Sequence, residues 1–208
     1  MKKALSAAAA LVLFTACATS APDRAARAAS SLEVMQQNSA KAGAQIDTVL
    51  SSLDAMLDAS PEKLREAYDR YDRDVRKMNE YADAIRENDT DLRRNGNTYL
   101  SQWQKDTSNI ADPELRTLAE QRREQIAQST QSMRGTVTSA ADSFEAFLRN
   151  INDIRKVMGN DLTATSQANV RGTTVVQTAR SEGARVKSAL QSSESALQSL
   201  RTQITPTN

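Results

Sequence analysis

Apolar residues recur along this chain in alternating steps of three and four, for many turns at a stretch. A first run holds Leu32, Met35, Ser39, Ala42, Ile46, Val49, Leu53 and Met56. A second holds Leu64, Tyr68, Tyr71, Val75, Met78, Ala82 and Ile85, then continues through Asp89, Leu92, Gly96, Tyr99 and Trp103. The third passes from Ile126 through Thr130, Met133, Val137, Ala140, Phe144, Phe147, Ile151 and Ile154 to Met158. The fourth passes from Val176 through Ala179, Gly183, Val186, Leu190, Ser193, Leu197 and Leu200 to Ile204. A repeat of about 3.5 residues holds one stripe against a partner helix and predicts left-handed supercoiling. The pattern predicts an all-α protein: an elongated antiparallel coiled coil or four-helix bundle, with helices over about 27–59, 61–110, 113–158 and 163–204.

Punctuation supports that division. Pro22, Pro61, Pro113 and Pro206 are the only prolines, and a helix interior tolerates none of them. Ser60-Pro61-Glu62 and Asp112-Pro113-Glu114 each combine a capping residue, a first-turn proline and an acid at the positive helix end. Met158-Gly159-Asn160 supplies a stop, and Thr163 a cap for the fourth helix. Asn95-Gly96-Asn97 is a turn signal inside the second helix, but the heptad phase passes through it unbroken, so the helix is expected to continue. The fourth helix, rich in Ser, Thr, Gln, Gly and Ala, is expected to be the least stable and to dock only in part.

The second and third helices are joined by a few residues around Ala111 and Asp112, so they should pair antiparallel. A turn centred there sets Tyr68 opposite Ile154, Tyr71 opposite Ile151, Gly96 opposite Ile126, Tyr99 opposite Arg123 and Trp103 opposite Ala119. Arg123 is then a candidate for a cation–π contact with Tyr99 or Trp103. The half-polar layers from Asp89 to Gly96, with Gly135 nearby, form a candidate hinge or docking layer. The plainer reading is a wet, loosely filled stretch of coiled coil.

The N-terminus changes the picture of where such a bundle would work. Lys2 and Lys3 precede an apolar stretch from Ala4 to Ala16 and then Cys17, the chain's single cysteine. The stretch is shorter than the roughly twenty apolar residues of a spanning helix, and Phe14-Thr15-Ala16-Cys17 resembles a bacterial lipobox. The expected organisation is a lipoprotein signal peptide over 1–16, a tether over 17–26 acylated at Cys17, a bundle over 27–204 and a disordered tail over 205–208. Cleavage after Ala18 is the alternative, giving a soluble periplasmic product. Ala18 stands where an inner-membrane retention signal would place aspartate, which points to the periplasmic face of the outer membrane in a Gram-negative envelope.

Composition narrows the chemistry. Net charge is +1 with both signs spread along the chain, which removes the basic stripe that nucleic-acid binding needs. Histidine is absent and aromatics are 4%, so acid–base and metal chemistry lose their commonest side chain. Carboxylate pairs sit beside basic residues on solvated faces, and the methionines fall mostly on the seams. No catalytic, cofactor or metal residues are therefore expected, and no small-molecule substrate.

The second helix bearing Trp103, the junction Asp112-Pro113-Glu114-Leu115-Arg116, and Asp153-Ile154 followed by Met158-Gly159-Asn160-Asp161-Leu162-Thr163 resemble a family of bacterial helical coiled-coil envelope proteins. That family carries only a domain-of-unknown-function label, often behind a signal peptide. The resemblance covers about Leu32 to the C-terminus. It implies a fold and a compartment but no active residues. The function expected is a non-enzymatic, membrane-anchored scaffold or spacer that binds an envelope protein or its own kind. The alternative is a periplasmic chaperone or carrier that opens its bundle around an amphipathic peptide or lipid.

Overall fold

Four apolar stripes need partners, and in the computed structural model they find them in one another. The structure describes residues 20–205. The expected leader, Cys17 and the last residues of the tail lie outside the described residues. The helices are α1 (Ala21–Leu57), α2 (Leu64–Ser108), α3 (Pro113–Asn160), α4 (Ala164–Arg171) and α5 (Thr174–Ile204). Helices α1, α2, α3 and α5 form a ring in which each touches two neighbours, running alternately up and down. The bundle is all-α and closes within one chain. At 1.5 Å per residue the longest helix, α3, spans about 72 Å.

The seams read from the sequence are the core. All nine predicted positions of α5 are buried, as are all ten of α3 and all eight of α1. On α2 the line from Leu64 to Leu92, buried except at half-buried Tyr68 and Asp89, gives way to half-buried Gly96, Tyr99 and Trp103. The helix runs straight through Asn95-Gly96 as expected. Polar pegs fix the register. Asn79 and Asn152 exchange amide hydrogen bonds between α2 and α3 at 3.4 and 3.1 Å, and the buried Tyr71 hydroxyl donates to the Ile151 carbonyl at 2.8 Å. Burial pushes the Tyr71 phenol far above its ordinary value. Between α1 and α5, Glu33, Asp47 and Asp54 pair with Arg201, Lys187 and Arg180. The members step two heptads and then one along each helix, in opposite directions. Pairs this exposed contribute ~0–1 kcal/mol each, but their spacing disfavours any other alignment.

Several expectations need correction. Residues 21–26, expected to belong to a tether, are helical instead, because Ser20 caps α1 in a reciprocal box with Asp23. Pro22 fits that first turn, and Ala25 and Ala28 are already buried. Helix α2 starts at Leu64 rather than 61: Pro61–Lys63 form a preceding turn in which Lys63 N–H donates to the Ser60 carbonyl at 2.9 Å. Hydrogen bonding from Ser60 holds the Glu62 carboxyl below its ordinary value there. Helix α3 runs past its expected stop to Asn160, with Gly159 against the Tyr68 ring. The fourth predicted helix is two, since Gly172 closes α4 and the extended Thr173 opens α5. Thr163 does cap α4, accepting from Ser166 N–H at 3.2 Å. The break lets buried Gln167 donate to the Met56 and Ala59 carbonyls at 2.8 and 2.9 Å, satisfying the end of α1.

Of the expected α2–α3 layers, Tyr71 does meet Ile151, through its carbonyl, but other contacts are offset by about a turn. Tyr68 reaches the Arg155 carbonyl and Gly159, and Gly96 lies against Thr130 rather than Ile126. Side chains on a helix lean toward its N-terminus, so in an antiparallel pair residues such as Tyr68 and Gly96 meet a later α3 residue than their backbone level suggests.

Finally, α5 docks fully rather than in part. Its small residues allow close approach: a Cβ on Gly183 would stand 3.1 Å from Leu50 Cδ1 and 3.2 Å from Ile46 Cγ2 and Phe147 Cε2. Crowding of that kind costs ~1–3 kcal/mol, more than the ~1 kcal/mol of helix propensity that alanine adds. Gly183→Ala should therefore lower the melting temperature. Gly135→Ala, with nothing within 4 Å of the new Cβ, should raise stability by up to ~1 kcal/mol. Thermal and denaturant unfolding of both variants check this; a stabilised Gly183→Ala would contradict close docking of α5.

Candidate functional site

The residues singled out from the sequence run from the middle of the bundle toward the hairpin end, but they do not converge as expected. Asp89 accepts from Arg93 Nε at 2.9 Å with one carboxylate oxygen, while its buried Oδ1 has no hydrogen-bond partner. Gly96 lies beneath Arg134, whose Nη2 donates to Asn97 Oδ1 at 2.6 Å and to the Arg93 carbonyl at 3.2 Å. Arg93 in turn donates to Thr138 Oγ1 at 2.9 Å. Two arginines thus stitch α2 to α3 across the stretch expected to be a hinge. Gly135 is exposed, with nothing within 4 Å of where a Cβ would stand. The space enclosed by Leu32, Leu92, Gly96, Ile126 and Leu200 is only about 20 Å³, room for no more than a water.

The cation–π contact of Arg123 with Tyr99 or Trp103 is not present. Arg123 pairs with Glu124 at 3.6 Å and sits beside Leu100 and Gln104 on the outer side of the α2–α3 groove. The two rings instead line a cleft with the start of α1 and meet each other edge to face, centroids 5.5 Å apart at 63°. The cation beside them is Arg24, which forms an ion pair with Asp106. Because α1 begins at Ala21 rather than 27, its first turns occupy the side of the rings that the expected contact left open. Lys77 over Tyr81, 5.8 Å from the centroid, is the cation–π pair among the described residues.

The feature that sequence reasoning missed is the cleft itself. It holds about 300 Å³ between the start of α1 and the α2–α3 hairpin, lined by Ala21, Tyr99, Trp103, Thr107, Ile110 and Ala119 with Arg24 and Asp106 at its rim. Thr107 is 1% exposed and its hydroxyl has no hydrogen-bond partner. Burial raises the Tyr99 phenol above its ordinary value, with Arg122 and Arg24 opposing. Just beyond the cleft Leu115 and Leu118 stand well exposed, at 59% and 56%. Both lie off the heptad register, which was the available sequence signal. The hairpin is set by Asp112, whose carboxylate accepts from Glu114 and Leu115 N–H at 3.0 and 2.9 Å. Arg116 closes it with two bonds to the Ile110 carbonyl at 3.0 and 2.8 Å.

Among the described residues no cluster of three or more His, Cys, Asp or Glu could hold a metal. No described helix is long and apolar enough to cross a membrane. The chain matches a family model described as a protein of unknown function (DUF2959) over residues 25–200. The match covers most of the sequence, and the chain belongs to that family. No curated protein and no solved structure matches it.

The α1 cap carries a titration signature. The Ser20 side chain, followed by its backbone N–H, stabilises the ionised Asp23 carboxyl and lowers its pKa from the ordinary 3.8. A depressed folded-state value means that the cap is complete above the ordinary value and is lost as pH falls through the depressed one. An NMR titration should place Asp23 below 3.8 in the wild type and closer to it in Ser20→Ala. Equal midpoints would contradict the capping box.

Proposed function

We propose that this chain is an exported, non-enzymatic lipoprotein whose bundle serves as a scaffold or spacer at the periplasmic face of the outer membrane. Its attachment would be through acyl chains on Cys17, and its partner an envelope protein or a second copy. The observation that carries this reading is the shortness of the leash. Only Ala18 and Thr19 separate Cys17 from Ser20, where the capped start of α1 begins. Three residue steps reach about 11 Å at most. An anchor there would hold a rod of about 70 Å by one end, close to the bilayer, rather than letting it swing on a long linker. The lipobox-like Phe14-Thr15-Ala16-Cys17 behind Lys2 and Lys3 supports the anchor, and multiple acyl chains would make attachment stable where one would not.

A carrier of amphipathic peptide or lipid is the second reading, favoured by the apolar cleft beside Trp103. Against it, the α1 seam from Leu32 to Met56 is buried within the hydrophobic core.

Radiolabelled palmitate should enter the exported wild-type chain and not Cys17→Ser, with the wild type fractionating with membranes. Unlabelled, fully soluble wild type would overturn the anchor. A solvatochromic dye should find no high-affinity site on the folded, acyl-free chain; tight stoichiometric binding would favour the carrier.

A further inference from the structure

We infer that the α2–α3 hairpin end is a bilayer-contact surface, with Leu115 and Leu118 entering the acyl-chain region of a phospholipid membrane and Trp103 lying at its interface. This rests on the anchored reading above. Leu115 and Leu118 are three residues apart on α3 and so share one face. That face continues past the end of α5, for Gln203, near the last turn of α5, is level with Ser129, which donates to its side chain at 3.1 Å. Arg122 Nη2 reaches back to the Gln203 carbonyl at 2.9 Å. Residues before Arg122 on α3 therefore have no α5 to cover them, and the two leucines project.

Which occupant covers them follows from where the undescribed N-terminal chain joins the bundle. Ala21 lines the cleft with Ile110 and Ala119, so the described chain begins at the hairpin end and not at the α4 end. An acyl anchor on Cys17 brings a bilayer to these leucines without any other partner. Two leucines and a cleft rim fall far short of the roughly 1,000 Å² that a specific protein interface needs. They suit a second, weaker membrane contact added to a lipid anchor. Tryptophan beside them fits the interfacial zone.

Charge gives no help to insertion. Residues 105–124 carry four basic and five acidic side chains, so contact should be as strong on neutral phosphatidylcholine as on anionic phosphatidylglycerol, and insensitive to salt. That separates this surface from a polybasic patch, whose attraction salt screens.

Trp103 is the only tryptophan and reports directly. The full chain is placed on phosphatidylcholine vesicles containing brominated lipid, held by its own acyl chains. If mass spectrometry finds Cys17 bare, it is held by coupling that thiol to a maleimide lipid, so failure of the anchor is scored apart from failure of the hairpin contact. Trp103 emission should be quenched, and the fractional quenching should at least halve in Leu115→Asp/Leu118→Asp. Both positions are exposed, so circular dichroism should match the wild type. Quenching that is absent, or equal in both proteins, overturns the proposal. A dimer in light scattering that this double variant dissolves would also overturn it, making a second copy the occupant.

Discussion

An apolar stripe that repeats every 3.5 residues must stay opposite another such stripe along its whole length, and this protein meets that demand by pairing its four stripes internally. Phase is the binding constraint. A one-residue insertion in any long helix would rotate every later seam residue by about 100° away from its layer. The register pegs reflect this. The Asn79–Asn152 amide pair, Tyr71 on the Ile151 carbonyl and the heptad-spaced ion pairs between α1 and α5 add little stability singly. Together they exclude the neighbouring alignments that a repetitive seam would otherwise permit.

The two ends of the bundle are built differently. At the α4 end, Gln167 satisfies the last carbonyls of α1, and Arg171 pairs with Asp58 at 2.8 Å. Buried Leu57, Leu64, Met158 and Val170 line the core there. The hairpin end is left with aromatic rings half covered, an apolar cleft and two projecting leucines. Val34 and Val157 are exposed singly elsewhere, but Leu115 and Leu118 are the more exposed and lie together, so the hairpin end is where the fold offers its most concentrated apolar surface. The proposed anchor would leave from the same end.

Seam positions were legible because periodicity over about seven to eleven turns is a collective signal that no single substitution erases. Ser39, Gly183 and Ser193 were placed correctly on spacing alone, though none is apolar enough to be chosen individually. Junctions were less legible, because they depend on local hydrogen bonds. The α1 start hinges on Ser20 and Asp23 recognising each other, and the α4 break on Gly172 followed by an extended Thr173. Long polar side chains were least legible. Arg123 and Arg134 both leave α3 toward α2, yet one meets Glu124 and the other crosses over Gly96. Spacing fixes a Cα, not the direction of a flexible guanidinium. Leu115 and Leu118 were visible as leucines out of phase, and only the end point of α5 gave that observation meaning.

The central claim is that one chain closes its own bundle, so that function falls to an end rather than to an open seam. Small-angle X-ray scattering with absolute mass, on the chain from Ser20 onward, tests this most directly. The account predicts the mass of one chain in a particle with a longest dimension of about 75–85 Å, set by α3 at 1.5 Å per residue plus its terminal side chains. A particle of two chains, or one approaching twice that length, would contradict it.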